Sequence, residues 1–146
     1  MKILVLGSGG REHAMARALE CPGDRIIVSP GNGGTPDRRD IDPCSPGQVV
    51  ALCREEQIDL VLIGPESALA AGVSDALRAA GFPVFGPSQA AARLETSKSY
   101  CREFAARHGL PSPRNKTFSG PGAAEEARAW AEAQDFPVVV KADGLA

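Results

Sequence analysis

The fold is indicated by a short stretch near the N-terminus, which reads ILVLGSGGRE at residues 3–12. Four consecutive apolar residues, without polar alternation, predict a strand that is buried on both faces of a sheet. Glycines end this strand, and a helical pattern follows from residue 11 to residue 20. A buried strand that leads through a glycine turn into a helix is typical of a parallel α/β sheet.

The alternation of strand and helix continues along the chain. After the first unit we predict, in order, a strand at 25–29, a loop at 30–36, a helix at 45–56, a strand at 60–63, a helix at 67–80 and a strand at 83–85. This order predicts the α/β class: a Rossmann-like parallel sheet with right-handed crossovers and with helices on both faces. We interpret the polar residues 38–40 as a solvated loop.

A domain boundary is expected near residue 96. A helical stretch that starts at residue 88 or 89 and ends at residue 109 is broken there. We then predict an extended segment at 111–118, a helix at 122–134 and a strand at 137–141, with Trp130 and Phe136 in the core. The first domain therefore covers residues 1–95, and residues 96–146 begin a second one. Because the last strand has no predicted neighbours, we expect this chain to be part of a longer protein.

Composition excludes several classes of function. Sixteen lysines and arginines against eighteen aspartates and glutamates give a net charge of −2, so the chain as a whole is not drawn to nucleic acid or to an anionic membrane. No apolar run approaches the roughly eighteen residues that a membrane span needs. The four cysteines form no CxxC pair, which argues against a zinc site and favours reduced thiols in a cytoplasmic protein. We expect no nucleic-acid partner and no membrane.

Three loops follow predicted strands and carry glycines: GSGGRE at 7–12, PGNGG at 30–34 and GPE at 64–66. The carboxyl ends of parallel strands lie on one edge of a sheet, so we expect these loops to converge there. Backbone N–H groups at a helix N-terminus and the guanidinium of Arg11 suit a phosphate. Asn32 and Glu66 suit sugar hydroxyls or an amine, with Glu12 beside them. The combination predicts a phosphorylated, hydroxyl-rich small molecule.

Less specific interpretations of these residues remain open. The first loop could be a tight turn that binds nothing, Glu66 could be an acid favoured by a helix N-terminus, and Asn32 could be a turn residue. A dinucleotide site fits poorly, because Glu12 stands where the third glycine of GxGxxG belongs and the second strand ends without an acidic residue. From spacing alone, Lys141 is equally consistent with a nucleotide phosphate contact and with a lysine that simply leaves the sheet.

Seven motifs in order resemble the phosphoribosylamine–glycine ligase family, a branch of the ATP-grasp superfamily. They are GSGGREH at 7–13, PGNGGT at 30–35, GPE at 64–66, FGPS at 85–88, LETSK at 94–98, RHGLP at 107–111 and VVKADGLA at 139–146. The resemblance extends over the whole chain, and seven ordered motifs are far more specific than one glycine pattern.

This resemblance implies an ATP-dependent ligase that joins glycine to 5-phosphoribosylamine through glycyl phosphate, the second step of de novo purine synthesis. It implies a pre-ATP-grasp domain at 1–95 and the truncated start of an ATP-grasp domain at 96–146. The expected substrates are 5-phosphoribosylamine, glycine and ATP, with Mg²⁺ or Mn²⁺ in the full-length enzyme. The residues expected near the phosphoribosyl group are Gly9, Gly10, Arg11, Glu12, Asn32 and Glu66. Those expected to meet ATP phosphates are Lys98 and Lys141.

The chain departs from the family pattern in two small ways and one large one. Ala68 replaces a proline after the GPE motif, and Pro113 is an extra proline after the HG pair. The larger departure is length, because the glycine-rich lid, the metal-binding acids and the C-terminal domain lie outside these residues. We expect no metal ligand and no catalytic residue here, and no ligase activity from this piece alone. The alternative is a stand-alone phosphosugar- or nucleotide-binding module without catalysis.

Overall fold

The computed structural model describes residues 1–35 and 37–144. Within the chain it separates two compact units, Met1–Thr96 and Ser97–Ala146.

The first unit is built on a parallel sheet of five strands in the order β3-β2-β1-β4-β5. The strands are β1 (Lys2–Gly7), β2 (Arg25–Pro30), β3 (Asp37–Arg38), β4 (Leu60–Ile63) and β5 (Val84–Phe85). The apolar run that we assigned to a doubly buried strand is the central one. It pairs with β2 along its whole length and with β4 from residue 3 to residue 6.

Helices cover both faces of this sheet, as predicted. They are α1 (Gly10–Ala18), α2 (Pro46–Glu56), α3 (Glu66–Ala70), α4 (Val73–Ala79) and α5 (Gln89–Thr96). Side chains of β1 alternate between the faces: Ile3 and Val5 pack with Ala16 of α1. Leu4 and Leu6 pack into a larger cluster with residues of α2, α3, α4 and α5. Burial on both sides explains why β1 reads as an unbroken apolar run. The α/β class is confirmed.

Two expectations for this unit are wrong. The helix predicted at 67–80 is divided into α3 and α4, because Gly72 adopts a left-handed backbone with φ of 80° and interrupts the helical hydrogen bonds. The polar residues 38–40, interpreted as a solvated loop, begin inside a short edge strand, although Arg38 and Asp40 are exposed as expected. Asp37 and Arg38 pair with β2, and Arg39 is held by ion pairs.

Four charged side chains form an ionic cluster around β3 and the end of α2. Arg25 contacts Asp37 at 2.7 Å and Glu56 at 3.0 Å, and Arg39 bonds to the same two carboxylates. The hydrogen bond from Arg39 lowers the pKa of Glu56. Glu56 is mostly covered, with 14% of its side chain exposed. The cluster therefore links the short edge strand to β2 and to the end of α2.

The second unit contains α6 (Lys98–Arg107) and α7 (Ala123–Glu132). The break predicted near Thr96 is confirmed, since α5 ends there and Ser97 caps α6 by accepting a hydrogen bond from the backbone N–H of Tyr100. The strand predicted at 137–141 is wrong: these residues are irregular, and Val139 and Val140 are 78% and 86% exposed. A strand needs a neighbour to receive its backbone hydrogen bonds, and none pairs with this segment within the part of the chain that is described.

The two aromatic residues assigned to the core of this unit are only half buried. The ring of Trp130 lies 6.1 Å from that of Phe118, and the guanidinium of Arg114 lies 4.4 Å from the ring centre of Phe136. They form small surface clusters, so the core assignment is wrong.

We predict that Glu56→Gln lowers the urea midpoint of unfolding at neutral pH, because it removes the charge that both arginines contact. Since the folded-state pKa of Glu56 is lowered, its contribution is complete above the ordinary value of 4.5 and is lost as pH falls through the folded-state value. The difference between the variant and the wild type should therefore shrink in acid. The control is Glu55→Gln at the exposed neighbouring position, and a difference that does not change with pH would contradict the assignment.

Candidate functional site

The three glycine loops meet at the carboxyl edge of the sheet, as predicted. The backbone N–H of Gly31 donates to the carbonyl of Gly7, and the N–H of Gly64 donates to the carbonyl of Leu6, each at 3.1 Å. The loops after β2 and β4 are thus attached on either side of the end of β1. From β1 the chain first builds the sheet outwards through β2 and β3, and then crosses to the other side of β1 to form β4 and β5. The strand order therefore reverses between β1 and β4. Ligands of open α/β sheets bind in the crevice at such a point.

Glu12 lies at the centre of this loop cluster. It is only 4% exposed, and its carboxylate accepts hydrogen bonds from the backbone N–H of Gly9 and from Nε of Arg11, both at 2.9 Å. Glu12 is the third residue of α1 and reaches back to the N-cap, as the acid of a capping box does. Glu12, which we expect near the ligand, is therefore buried and stabilises the first loop through hydrogen bonds.

Glycines surround Glu12 because its side chain fills the space of their missing Cβ atoms. A Cβ at Gly7 would lie 2.5 Å from Cγ of Glu12, and one at Gly9 would lie 2.8 Å from its Oε2. A Cβ at Gly64 would come closer still to Oε1. A Cβ at Gly10, by contrast, would meet nothing within 4 Å. Of the glycines in the first loop, Gly10 is the one that borders open space.

Arg11 crosses from the first loop to the third. While Nε bonds to Glu12, Nη2 donates to the carbonyl of Gly64 and lies 3.3 Å from Oε2 of Glu66. The hydrogen bond to Glu12, followed by that to Glu66, raises the pKa of Arg11. Its side chain is still 58% exposed. A fixed and accessible guanidinium at a helix N-terminus is suited to an anion.

Glu66 begins α3 and faces the same crevice edge. Its own backbone N–H and then Arg11 lower its pKa, so it is a carboxylate at neutral pH. Its side chain is 43% exposed. Because an anion at Arg11 would lie near this carboxylate, Glu66 suits the hydroxyl or amine part of a ligand and not its phosphate.

Asn32 fastens the second loop to the first. Its Nδ2 donates to the carbonyl of Ser8 at 3.0 Å, and its Oδ1 accepts from the N–H of Gly34 at 2.9 Å. Thr35, which is buried, accepts from the N–H of Asn32. A Cβ at Gly34 would collide with the ring of His13. Thr35 and His13 were not predicted as site residues. The sequence signal that could have revealed Thr35 was its place three residues after Asn32 in a glycine-rich turn, where both side chains can bond to the backbone of the loop.

Lys98 and Lys141 lie in the second unit. Lys98 is the first residue of α6, and its Nζ donates to the carbonyl of Gly144 at 2.9 Å. Lys141 is exposed in the irregular segment that precedes Gly144. Within residues 1–35 and 37–144, no group of three or more His, Cys, Asp or Glu side chains could hold a metal ion.

Comparison with known proteins identifies the family. Residues 1–95 match the family model described as phosphoribosylglycinamide synthetase, N domain. The chain belongs to this family. The phosphoribosylamine–glycine ligases of Ralstonia nicotianae and Agrobacterium fabrum are 44% and 45% identical to it over 151 residues. Each comparison covers all of this chain and 35% of the relative. This member of the synthetase family therefore spans about a third of the length of the curated relatives that it matches.

Solved structures agree with the family and extend the fold beyond it. A crystal structure of phosphoribosylamine–glycine ligase from Thermotoga maritima superposes with a TM-score of 0.72 at 29% identity, over 99% of this chain and 34% of that one. The biotin carboxylase domain of 2-oxoglutarate carboxylase from Hydrogenobacter thermophilus, solved with MgADP, gives a TM-score of 0.63 at 17% identity, over 93% of this chain and 33% of that one. The second likeness concerns the fold alone. In the described part of the chain, no helix has the length and apolar character needed to cross a membrane.

The environment of Glu12 predicts that two glycine-to-alanine substitutions differ in their effect on stability. Gly64→Ala should lower the free energy of unfolding by about 1–3 kcal/mol, because its methyl group has to displace a buried carboxylate. Gly10 is the first residue of α1, and a methyl group there has free space. Because alanine favours a helix over glycine, Gly10→Ala should leave the free energy of unfolding unchanged or raise it by at most about 1 kcal/mol. Urea denaturation of the two variants measures both changes. Equal losses would mean that Glu12 does not occupy the space beside Gly64.

Proposed function

We propose that this chain forms part of a phosphoribosylamine–glycine ligase, an ATP-dependent carbon–nitrogen ligase of purine biosynthesis. Residues 1–95 would be its phosphosugar-binding N domain, and residues 96–146 the start of its ATP-grasp domain. The observation that carries the proposal is the accessible guanidinium of Arg11 beside the open space at Gly10, at the point where the strand order reverses. The reaction itself is inferred from membership of the family. The four free cysteines suit a cytoplasmic protein.

In this proposal the first loop binds the phosphate of 5-phosphoribosylamine. The N–H groups at the start of α1 and the guanidinium of Arg11 supply donors and positive charge. Gly10 leaves room for the phosphate, and Gly9 and Glu12 keep the loop in shape. Glu66 receives the sugar hydroxyls or the amine, and Asn32 holds the second loop at the side of the sugar.

The reaction that we propose has two steps. The carboxylate of glycine takes the γ-phosphoryl group of ATP, which gives glycyl phosphate and ADP. The amine of phosphoribosylamine then attacks the glycyl carbonyl and releases phosphate. Lys98 and Lys141 would contact the phosphates of ATP, where an ammonium group offsets their charge. The described residues do not form a metal-ligand group, so we assign no Mg²⁺ ligand among them.

Arg11→Ala should raise the KM for phosphoribosylamine roughly 10- to 100-fold, which is the usual cost of losing hydrogen bonds to a charged group. The KM for ATP should change much less. The measurement is glycine-dependent release of ADP by the full-length gene product, with each substrate varied in turn. Arg17→Ala is the matched control, since Arg17 lies in the last turn of the same helix and is 68% exposed.

Arg11→Ala also leaves Glu12 with one hydrogen bond fewer, so the thermal midpoint of each variant is measured as well. A defect in the KM for ATP alone would contradict the phosphosugar assignment. Absence of ligase activity in the wild-type gene product, together with binding of ribose 5-phosphate, would favour a binding module without catalysis.

Gly10→Ala tests the same site without disturbing Glu12. Its methyl group would enter the space that we assign to the phosphate, so the KM for phosphoribosylamine should rise several-fold while the urea midpoint does not fall. Gly47→Ala is the control, because Gly47 lies in the first turn of α2 and a Cβ there also meets nothing within 4 Å. Equal kinetics for the two variants would place the phosphate elsewhere.

A further inference from the structure

Asp143 makes a dense set of hydrogen bonds at the start of α6. Its Oδ1 accepts from the backbone N–H of Ser99 at 3.1 Å, and its Oδ2 accepts from the hydroxyl of Ser99 at 2.6 Å. The hydroxyl of Ser97 lies 3.4 Å from both oxygens, and the N–H of Gly144 donates to Oδ1 at 3.1 Å. The carboxylate thus bonds to residues 44 and 46 positions earlier in the chain.

These contacts supply what the start of α6 lacks. The first N–H groups of a helix have no partner within the helix and carry partial positive charge. Ser97 satisfies the N–H of Tyr100 at 3.2 Å, and Asp143 satisfies the N–H of Ser99. The hydrogen bond from the Ser99 hydroxyl is the main cause that lowers the pKa of Asp143 to about 2. Asp143 is therefore an anion throughout the neutral range.

The same contacts link the two segments that carry Lys98 and Lys141. Lys98 directly precedes Ser99, and its Nζ bonds to Gly144, the neighbour of Asp143. Lys141 is two residues before Asp143, a separation that an extended chain covers in at most about 7 Å. In the described ranges, 1–35 and 37–144, no strand pairs with residues 137–141, and Val139 and Val140 are exposed. Just beyond this segment, Asp143 and Gly144 are hydrogen-bonded to residues 97–99.

We propose that Asp143 is a positioning residue for nucleotide binding, which fastens the segment at 141–144 to the start of α6 and so holds Lys98 and Lys141 ready for one polyphosphate. The proposal rests on the assignment of these two lysines to ATP. In this proposal Asp143 acts through the two lysines and not by contact with the nucleotide. It reduces the conformational freedom that the two lysines would otherwise lose when ATP binds, and such preorganisation increases affinity.

The test compares Asp143→Asn and Ser99→Ala in the full-length gene product. The first removes the negative charge, and the second removes the hydroxyl that donates to Oδ2 while leaving the carboxylate in place. We expect the KM for ATP to rise about tenfold or more for Asp143→Asn, as when charge-assisted hydrogen bonds are lost, and less for Ser99→Ala. The KM for phosphoribosylamine should change less than about twofold, since its proposed ligands lie in the other unit. Asp135→Asn, at an exposed position of the second unit, is the control.

A second measurement follows hydrogen exchange of the amide of Ser99 and of residues 141–144. Exchange should be faster in Asp143→Asn than in the wild type and unchanged in Asp135→Asn, and Asp143→Glu should restore part of the protection and part of the affinity for ATP. If Asp143→Asn raises the KM values for ATP and phosphoribosylamine equally, its role is merely structural and the proposal is overturned. The same holds if neither exchange nor the KM for ATP changes.

Two lysine variants separate this outcome from failure of the proposed function. If Lys98→Ala and Lys141→Ala raise the KM for ATP while Asp143→Asn does not, the nucleotide assignment stands and the positioning role falls. If the lysine variants leave the KM for ATP unchanged, the nucleotide assignment falls and the positioning role falls with it.

Discussion

The buried carboxylate of Glu12 is the constraint on which the loop cluster depends. A carboxylate removed from water has to be hydrogen-bonded to be tolerated, and the N–H of Gly9 and the guanidinium of Arg11 meet this need. Its side chain also excludes a Cβ at three positions, two in the first loop and one at Gly64. The first and third loops, more than fifty residues apart in sequence, are thus matched to one side chain. Gly7, Gly9 and Gly64 are therefore required by internal packing against Glu12, whereas Gly10 is not.

The site takes its chemical character from this arrangement. Because Glu12 occupies Nε of Arg11, the guanidinium is oriented towards Gly64 and Glu66 and stays partly accessible. Asn32 and Thr35 add a second set of bonds that fixes the neighbouring loop. The positive group is therefore held in position by bonds within the protein, so little ordering remains to be done when an anion binds.

Each of the two units has a carboxylate that stabilises the start of a helix, but the acid and the helix start are separated by very different distances in the sequence. In each, a carboxylate accepts a backbone N–H at the start of a helix and lies beside a positively charged residue that we assign to a phosphate. In the first unit the acid is three residues after the N-cap, within one helical turn. In the second it comes from Asp143, 44 residues beyond the N–H that it accepts. The second arrangement is built by the fold of the chain and has no local signature.

The sequence by itself determined the α/β class, the parallel direction of the strands and the convergence of the three glycine loops at the carboxyl edge of the sheet. Runs of apolar residues report burial, and parallel strands bring their carboxyl ends to one side regardless of detail. Only the tertiary structure decided that Glu12 points inwards, that Gly64 makes room for it, that Gly72 divides a helix and that residues 137–141 form no strand. These features depend on contacts between segments distant in sequence or on a neighbour that a strand requires. Periodicity reports which side of an element is buried and not which atoms it meets there.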